Sequence, residues 1–224
     1  MKRSIFLFAL LLSLTAVAQQ RLRISILGDS YSTYQNYIPE GNAIWYFEPM
    51  DAKNTDVSDV RQTWWWQVVK EGGYLLEKND SYSGSTICFT GYKDEDYSDR
   101  SFTKRMDNLG ENPDIILIFG ATNDSWAHSP IGEFKYESIT KEDLWSFRPA
   151  MAYMLGWMKE HYAKSAIYFL LNDGLSADIN ESVKTICNRY NVKCIELQGI
   201  AKKAGHPSVK GMQQIAEQVG QVIE

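Results

Sequence analysis

The sequence predicts an α/β fold in which helices cover both faces of a central parallel sheet of about five strands, a three-layer α/β/α sandwich. Short apolar runs alternate along the chain with segments whose apolar residues recur at three- and four-residue steps, which is typical of strands joined by helices. The run at 113–120, Pro-Asp-Ile-Ile-Leu-Ile-Phe-Gly, is the strongest strand pattern. Its unbroken apolar stretch is expected of a strand buried on both faces of a parallel sheet.

The first apolar run defines the start of the sheet and leads into a polar turn. Residues 24–27 read Ile-Ser-Ile-Leu and run into Gly28-Asp29-Ser30, the pattern of a buried strand that ends in a tight turn. Residues 31–60 show no period and mix six aromatic residues with glycine, proline, asparagine and aspartate. They predict a long loop, and loops of this length in compact domains tend to be functional.

Caps, periodicity and apolar runs predict the remaining elements. Thr63 predicts the cap of a helix over 64–69, and Gly72-Gly73 predicts its end. Pro149 is expected to kink or break a helix over 140–162, because proline has no N–H and clashes with the preceding turn. The other predictions are a weaker strand at 74–78 with a turn at 79–85, a solvated acidic loop at 94–99, a short helix near 101–109, strands at 166–171 and 193–197, and helices around 179–190 and 212–219.

The first eighteen residues are typical of a signal peptide. Lys2 and Arg3 precede an apolar run over 5–14, and Ala16-Val17-Ala18 forms a small-x-small cleavage site. The apolar run is too short for a membrane span, and no other long apolar run follows. We therefore expect a signal peptide at 1–18, a single domain at 19–224 without an integral membrane segment, and export to the periplasm or out of the cell.

The net charge and the cysteine content indicate which classes of binding partner can be excluded. The formal net charge is −5, and without the two signal cations 21 basic residues face 28 acidic ones, a charge of −7. This argues against nucleic acid, whose binders need clustered lysine and arginine. No cysteine spacing matches a zinc site, and neither metal nor cofactor is predicted. Cys187 and Cys194 are either a disulfide or two small buried apolar residues.

Three residues that follow predicted strands, and one that precedes the last helix, are of the types that acyl transfer uses. This chemistry needs a nucleophile, a base within hydrogen-bond reach of it and donors for the developing oxyanion. Ser30, Gly84, Asn123 and His206 meet these needs if they gather at the carboxyl edge of the sheet. Singly, Ser30 and His206 can also be read as helix caps, and Asn123 as a residue that closes a turn.

The four sites and their order resemble the SGNH (GDSL-type) hydrolase superfamily. Gly28-Asp29-Ser30-Tyr31-Ser32 resembles its nucleophile block, Gly84 its second block, Gly120-Ala121-Thr122-Asn123-Asp124 its third and His206-Pro207 its last. The resemblance implies a flavodoxin-like sheet, Ser30 as nucleophile and His206 as base. It also implies an oxyanion hole made by the Ser30 N–H, the Gly84 N–H and the Asn123 side chain.

One position departs from the family pattern. The residue three before the histidine is usually an aspartate, and here it is Lys203. We expect a Ser–His dyad whose imidazole is held by the carbonyl of Lys203 or a neighbour, with Asp29 shaping the nucleophile turn. Asp173 as a substitute acid, or an impaired enzyme, are the alternatives.

The leading hypothesis is an exported serine esterase that removes a small acyl group, acetyl above all, from a carbohydrate. Aromatic residues make up 13% of the chain, including 7 tryptophans, more than a core of this size needs. The candidates for lining a substrate site are Tyr31, Trp45, Tyr46, Trp64 and His128; ordinary packing is the alternative for the aromatic ones. The alternative functions are hydrolysis of lipid, aryl or thioesters, and carbohydrate binding on a scaffold that has lost activity.

Overall fold

Five parallel strands form the central sheet, in the order β2-β1-β3-β4-β5. A computed structural model describes residues 20–223, so the predicted signal peptide lies outside the described residues. The strands are β1 (Arg23–Gly28), β2 (Leu75–Ser81), β3 (Ile115–Gly120), β4 (Ala166–Leu171) and β5 (Lys193–Glu196). Helices cover both faces, which confirms the predicted three-layer α/β/α sandwich.

Six α-helices of the described chain form the outer layers. They are α1 (Trp64–Glu71), α2 (Phe102–Arg105), α3 (Thr122–Ala127), α4 (Phe147–His161), α5 (Ala177–Arg189) and α6 (Val209–Gly220). One apolar cluster packs α2, α4 and α5 on one face of the sheet, and a second packs α1 and α6 on the other. Strand β3 contributes Ile116 and Ile118 to the first cluster and Leu117 and Phe119 to the second, as its apolar run predicts. Across residues 20–223, no helix is long and apolar enough to cross a membrane.

The order of the strands determines where the loops of interest meet. The chain passes from β1 to β2 on one side of β1 and then returns to place β3 on the other side. The carboxyl ends of β1 and β3 therefore flank the point where the strand order reverses, which is the usual ligand site of open α/β sheets. A short antiparallel hairpin, β6 (Lys202–Lys203) and β7 (His206–Pro207), lies before α6.

Strand β2 is longer than the sequence predicts. Asn79, Asp80 and Ser81, which are expected in a turn, extend the strand and pair with β1 as far as Gly28. Their polar side chains are buried but satisfied; the Asn79 amide, for example, donates to the Ser32 carbonyl at 2.9 Å. Turn-forming composition is overridden here because neighbouring elements supply hydrogen bonds to a buried strand.

The break in the helix predicted at 140–162 does not occur at Pro149. A 3₁₀ turn spans Glu142–Trp145, Ser146 is extended, and α4 begins at Phe147. Pro149 thus lies in the first turn of α4, where a backbone N–H has no partner within the helix and its absence is tolerated.

Cys187 and Cys194 are free thiols, so the structure has the second of the two expected arrangements and no disulfide. Cys187 on α5 is buried, and Cys194 on β5 is half-buried.

Candidate active site

Ser30 opens a single 3₁₀ turn directly after β1. The Asp29 carboxylate accepts a hydrogen bond from the Tyr31 N–H at 3.0 Å, and the Asp29 N–H donates to the Phe119 carbonyl of β3 at 3.2 Å. These two bonds fix the turn against the neighbouring strand. Asp29 makes no hydrogen bond to His206 among the described residues, which agrees with its expected role in shaping the turn.

His206 lies within hydrogen-bond distance of the Ser30 hydroxyl. Its Nε2 is 2.9 Å from Ser30 Oγ, and its Nδ1 is 3.1 Å from the Ala204 carbonyl oxygen. A carbonyl can only accept, so Nδ1 carries the proton and Nε2 is free to accept from the serine. The carbonyl that orients the imidazole is therefore that of Ala204, a neighbour of Lys203.

The hairpin turn between β6 and β7 places the Ala204 carbonyl beside Nδ1 of the imidazole. Lys203 pairs with His206, and the two residues between them have left-handed backbones, with φ of 46° at Ala204 and 79° at Gly205. Two-residue hairpin turns of this kind require positive φ at both positions.

The side chains of Lys203 and Asp173 are engaged elsewhere. Lys203 Nζ donates to the Ala52 carbonyl at 2.7 Å and to the Thr55 carbonyl at 3.2 Å. Asp173 accepts from the Ile200 N–H at 3.0 Å and forms an ion pair with Lys202. Neither side chain hydrogen-bonds His206, so Asp173 does not replace the acid that Lys203 displaces.

Asn123 projects from the start of α3, just beyond β3. Its amide Nδ2 donates to the Ser85 carbonyl at 3.0 Å, and its Oδ1 accepts from the Tyr92 hydroxyl at 2.8 Å. These contacts fix both ends of the amide and leave one N–H of Nδ2 for a ligand. They also join Asn123 to the loop that carries Gly84.

Gly84 lies in a tight turn that follows β2. The Ser85 N–H donates to the Tyr82 carbonyl at 3.2 Å, and Gly84 has a φ of +84°, which favours glycine. A Cβ built on Gly84 meets no atom within 4 Å, so the space beside it is open. In residues 20–223, neither the Gly84 N–H nor the Ser30 N–H donates to a protein acceptor. Both donors are available to an oxyanion.

Aromatic rings surround His206. Trp45 stacks on the imidazole, with ring centroids 3.5 Å apart and an interplanar angle of 10°. Trp126 meets it edge to face at 5.9 Å and is 39% exposed. Trp126 is a site residue that sequence reasoning missed; its position three residues after Asn123 on a short helix could have indicated it.

Three of the five residues predicted to line a substrate site are fully buried and support the site from the protein interior: Tyr31, Tyr46 and Trp64. The Tyr31 hydroxyl donates to the Gly205 carbonyl at 2.6 Å, and the Tyr46 hydroxyl donates to the Pro207 carbonyl at 3.0 Å. Trp64 packs in the core and donates to Ser32 Oγ at 3.3 Å. The two phenols thus hold the peptide units on either side of His206, which corrects the expected lining role.

The other two predicted lining residues differ in position. Trp45 lies at the site, against His206, as described above. His128 is exposed at the end of α3 and makes no contact with Ser30 or His206 among the described contacts.

The acidic loop at 94–99 remains a solvated segment, and no cluster of potential metal ligands occurs within the part of the chain that the structure describes.

Comparison with known protein families identifies the family to which the chain belongs. The model of the GDSL-like lipase/acylhydrolase family matches residues 22–223. The chain belongs to this family. It is therefore a GDSL-like hydrolase, an enzyme that acts on ester bonds, and the expected membership of the SGNH superfamily is confirmed.

Solved structures similar to this GDSL-like hydrolase include two from Bacteroides. A protein described as a GDSL-like lipase from Bacteroides ovatus is 59% identical, with a TM-score of 0.89 over 91% of this chain and 98% of that one. Its counterpart from Bacteroides uniformis is 48% identical, with a TM-score of 0.89 over 92% and 96% of the two chains. A family two carbohydrate esterase from Clostridium thermocellum, in complex with cellohexaose, shares the fold at 15% identity, with a TM-score of 0.59 over 89% and 62%. A comparison with curated proteins gave no match.

A buried arginine that sequence reasoning missed supports the loop that carries Gly84 in this hydrolase. Arg105 donates to the Gly28 carbonyl at 3.2 Å and to Ser85 Oγ at 2.9 Å, and it pairs with Asp80 at 3.2 Å. It thereby joins the end of β1 to the turn that carries Gly84. A single arginine in a short helix carries no sequence signal for this role, because its partners lie on other elements.

Burial sets the protonation of the titratable groups around Ser30. Burial lowers the pKa of His206 to about 4, against a smaller upward effect of the Ala204 carbonyl. Burial also raises the pKa of Asp29 to about 7, opposed by the Tyr31 N–H, and the pKa of Asp124 to about 6, opposed by the N–H groups of Ile87 and Cys88. The imidazole is consequently neutral, the form that can accept a proton, at any pH well above 4.

We expect the acid limb of kcat/KM that belongs to His206 to be centred near pH 4, because the pKa of free His206 is lowered to about 4. An unperturbed histidine would place this limb near pH 6.5. The measurement is kcat/KM for an activated acetyl ester from pH 3.5 to 8, in short assays after a pH jump. Tryptophan fluorescence at each pH checks that the protein stays folded, and a limb centred near 6.5 would contradict burial of the imidazole.

Lys203→Ala is expected to change kcat/KM by no more than about twofold, since the Lys203 side chain donates to the carbonyls of Ala52 and Thr55 and makes no hydrogen bond to His206. Kinetics on the same ester, with the melting temperature as a check on the loop at 52–55, test this. A loss of tenfold or more would mean that the Lys203 side chain acts on His206.

Proposed function

We propose that this GDSL-like hydrolase is an exported serine esterase that removes small acyl groups, acetyl above all, from carbohydrates. The observation that carries the proposal is the contact of 2.9 Å between His206 Nε2 and Ser30 Oγ, with Nδ1 held by the Ala204 carbonyl. A nucleophile and its base in this geometry, beside unused N–H donors, are the parts that acyl transfer requires.

The proposed reaction proceeds through an acyl-enzyme. Ser30 Oγ attacks the ester carbonyl carbon while its proton moves to His206 Nε2. The carbonyl oxygen becomes an oxyanion that accepts hydrogen bonds from the Ser30 N–H, the Gly84 N–H and the Asn123 amide. His206 then gives its proton to the leaving alcohol oxygen, and water, activated by the same imidazole, releases the acid from Ser30.

The aromatic residues at the site support a carbohydrate as the alcohol part of the ester. His206 must protonate the leaving oxygen, so the alcohol has to lie beside the imidazole. Trp45 and Trp126 are the side chains that flank this imidazole, and Trp126 is 39% exposed. Aromatic surfaces with a polar edge suit sugar rings, and a carbohydrate esterase that binds cellohexaose shares the fold. Export rests on the sequence pattern of residues 1–18.

The deciding experiment measures acetate release from a panel of acetylated polysaccharides, with Ser30→Ala as the control. Acetylated xylan, acetylated glucomannan and peracetylated cello-oligosaccharides form one arm. p-Nitrophenyl esters of two to eight carbons and an acetyl thioester form the other. The proposal expects Ser30-dependent acetate release from at least one polysaccharide and a preference for two-carbon acyl groups; faster hydrolysis of eight-carbon esters or of the thioester would overturn the substrate class.

A second candidate is a carbohydrate-binding protein whose catalysis is impaired. The absence of a carboxylate from the hydrogen-bond partners of His206 among the described residues favours it. This candidate predicts calorimetric binding of cello- or xylo-oligosaccharides, with equal affinity in wild type and Ser30→Ala, and no acetate release above the Ser30→Ala background.

A further inference from the structure

His206 has to carry a positive charge during the reaction in a place that offers little to offset it. The imidazole is buried, and in the described structure no carboxylate forms a hydrogen bond or ion pair with it. The Lys202 ammonium on β6 opposes protonation of the ring, and it is itself ion-paired with Asp173. Its other polar neighbours are neutral: the Ser30 hydroxyl and the Ala204 carbonyl.

Trp45 presents the full face of its indole to this imidazole. The rings are nearly parallel, at 10°, with centroids 3.5 Å apart. Tyr31 and Trp126 approach the same ring at 5.3 Å and 5.9 Å but are inclined to it by 59° and 75°. The Trp45 indole N–H has no hydrogen-bond partner within residues 20–223, so the ring contributes its face rather than a polar bond.

We propose that the face of the Trp45 indole stabilises the His206 imidazolium, and so takes over part of the role of the missing carboxylate. A cation over the face of a tryptophan, within about 6 Å of its centroid, is attracted by the negative face of the ring, and more strongly where water is excluded. The neutral imidazole of the resting enzyme gains much less, so the attraction increases as the proton arrives. An interaction that strengthens in this way speeds the chemical step.

This inference rests on the proposed function, and the indole takes no part in bond making. As the bond between Ser30 Oγ and the carbonyl carbon forms, the Ser30 proton passes to His206 Nε2, and the carbonyl π electrons pass to oxygen. The proton leaves Nε2 for the alcohol oxygen when the carbon–oxygen bond of the ester breaks. Trp45 is thus a positioning residue that acts through His206.

The sharpest test weakens the indole face without changing its shape. Mono-, di- and trifluorotryptophan, inserted at position 45 by site-specific incorporation, withdraw electrons from the ring. We expect kcat to fall stepwise with each fluorine, by about 3- to 30-fold across the series, while KM changes little. The same series at Trp66, whose ring contacts Tyr37, Trp65 and Lys70 instead, is the matched control and should leave kcat unchanged. A flat series at position 45 would overturn the proposal.

A second measurement separates this inference from the proposed function. The chain has 3 histidines, so His206 can be assigned in the NMR spectrum of labelled protein by comparison with His206→Ala. We expect each fluorine on Trp45 to lower the pKa of His206, because the cation is the form that the indole face favours. Trp45→Phe should retain part of the effect and Trp45→Leu none. An unchanged pKa would refute the inference, even if no ester were hydrolysed; an active, Ser30-dependent enzyme with a flat fluorine series would refute it while the proposed function stands.

Discussion

Replacing Ser30 with alanine is expected to lower kcat for acetyl-ester hydrolysis by about ten-thousandfold or more, to the level set by the binding groups alone. The physical reason is direct: no other hydroxyl among the described contacts lies within hydrogen-bond reach of His206 Nε2. His206→Ala should cause a loss of similar size, because the serine then has no base. The two changes should not add, and the double variant should be no slower than either single one, since the residues act as a unit.

Ser32→Ala is the matched control for this prediction. Ser32 is buried in the same turn, two residues from Ser30, but its hydroxyl accepts from the Trp64 indole rather than contacting His206. This variant should retain kcat within a few-fold and lose about 1–3 kcal/mol of stability from the unpaired indole N–H. Circular dichroism shows whether each variant is folded. Wild-type rates in folded Ser30→Ala would exclude the serine mechanism.

Asn123→Ala is expected to lower kcat by about 100-fold or more while KM changes little, the usual loss for one oxyanion donor. The amide is held at both ends, by the Ser85 carbonyl and the Tyr92 hydroxyl, so its remaining N–H is oriented before substrate arrives. An oriented donor that meets charge only in the transition state affects kcat more than binding.

Two further variants grade this effect. Asn123→Asp can still accept from Tyr92 but loses the amide donor and adds negative charge beside the oxyanion, so its kcat should be no higher than that of Asn123→Ala. Tyr92→Phe keeps the amide but releases its Oδ1, and the loss should be smaller. Turnover of a p-nitrophenyl acetate series, with melting temperatures as the fold check, provides the ranking. An Asn123→Asp enzyme as fast as wild type would rule out the amide as a donor.

The strand pattern predicted β3 well because this strand is buried along its whole length. The unbroken apolar run of β3 predicts a strand that is buried on both faces, and all the residues that make this prediction are consecutive in the sequence. Two elements were predicted less well for reasons that lie outside them. Polar residues extend β2 because Asn79 and Asp80 find partners outside the strand, in the Ser32 carbonyl and Arg105. Pro149 fits within α4 because the helix begins at Phe147.

The sequence by itself determined which residues could carry the chemistry. Parallel strands end at one edge of a sheet, so Ser30, Gly84 and Asn123, each placed after a strand, had to come close together. Only the tertiary structure decided which aromatic rings pack around His206: the Trp45 face and the phenol of Tyr31, which reaches across 174 positions to the Gly205 carbonyl. Hydrophobic periodicity and short sequence motifs reflect only the local surroundings of a residue. They cannot record a contact whose two partners lie at opposite ends of the chain, and the environment of the base is made of such contacts.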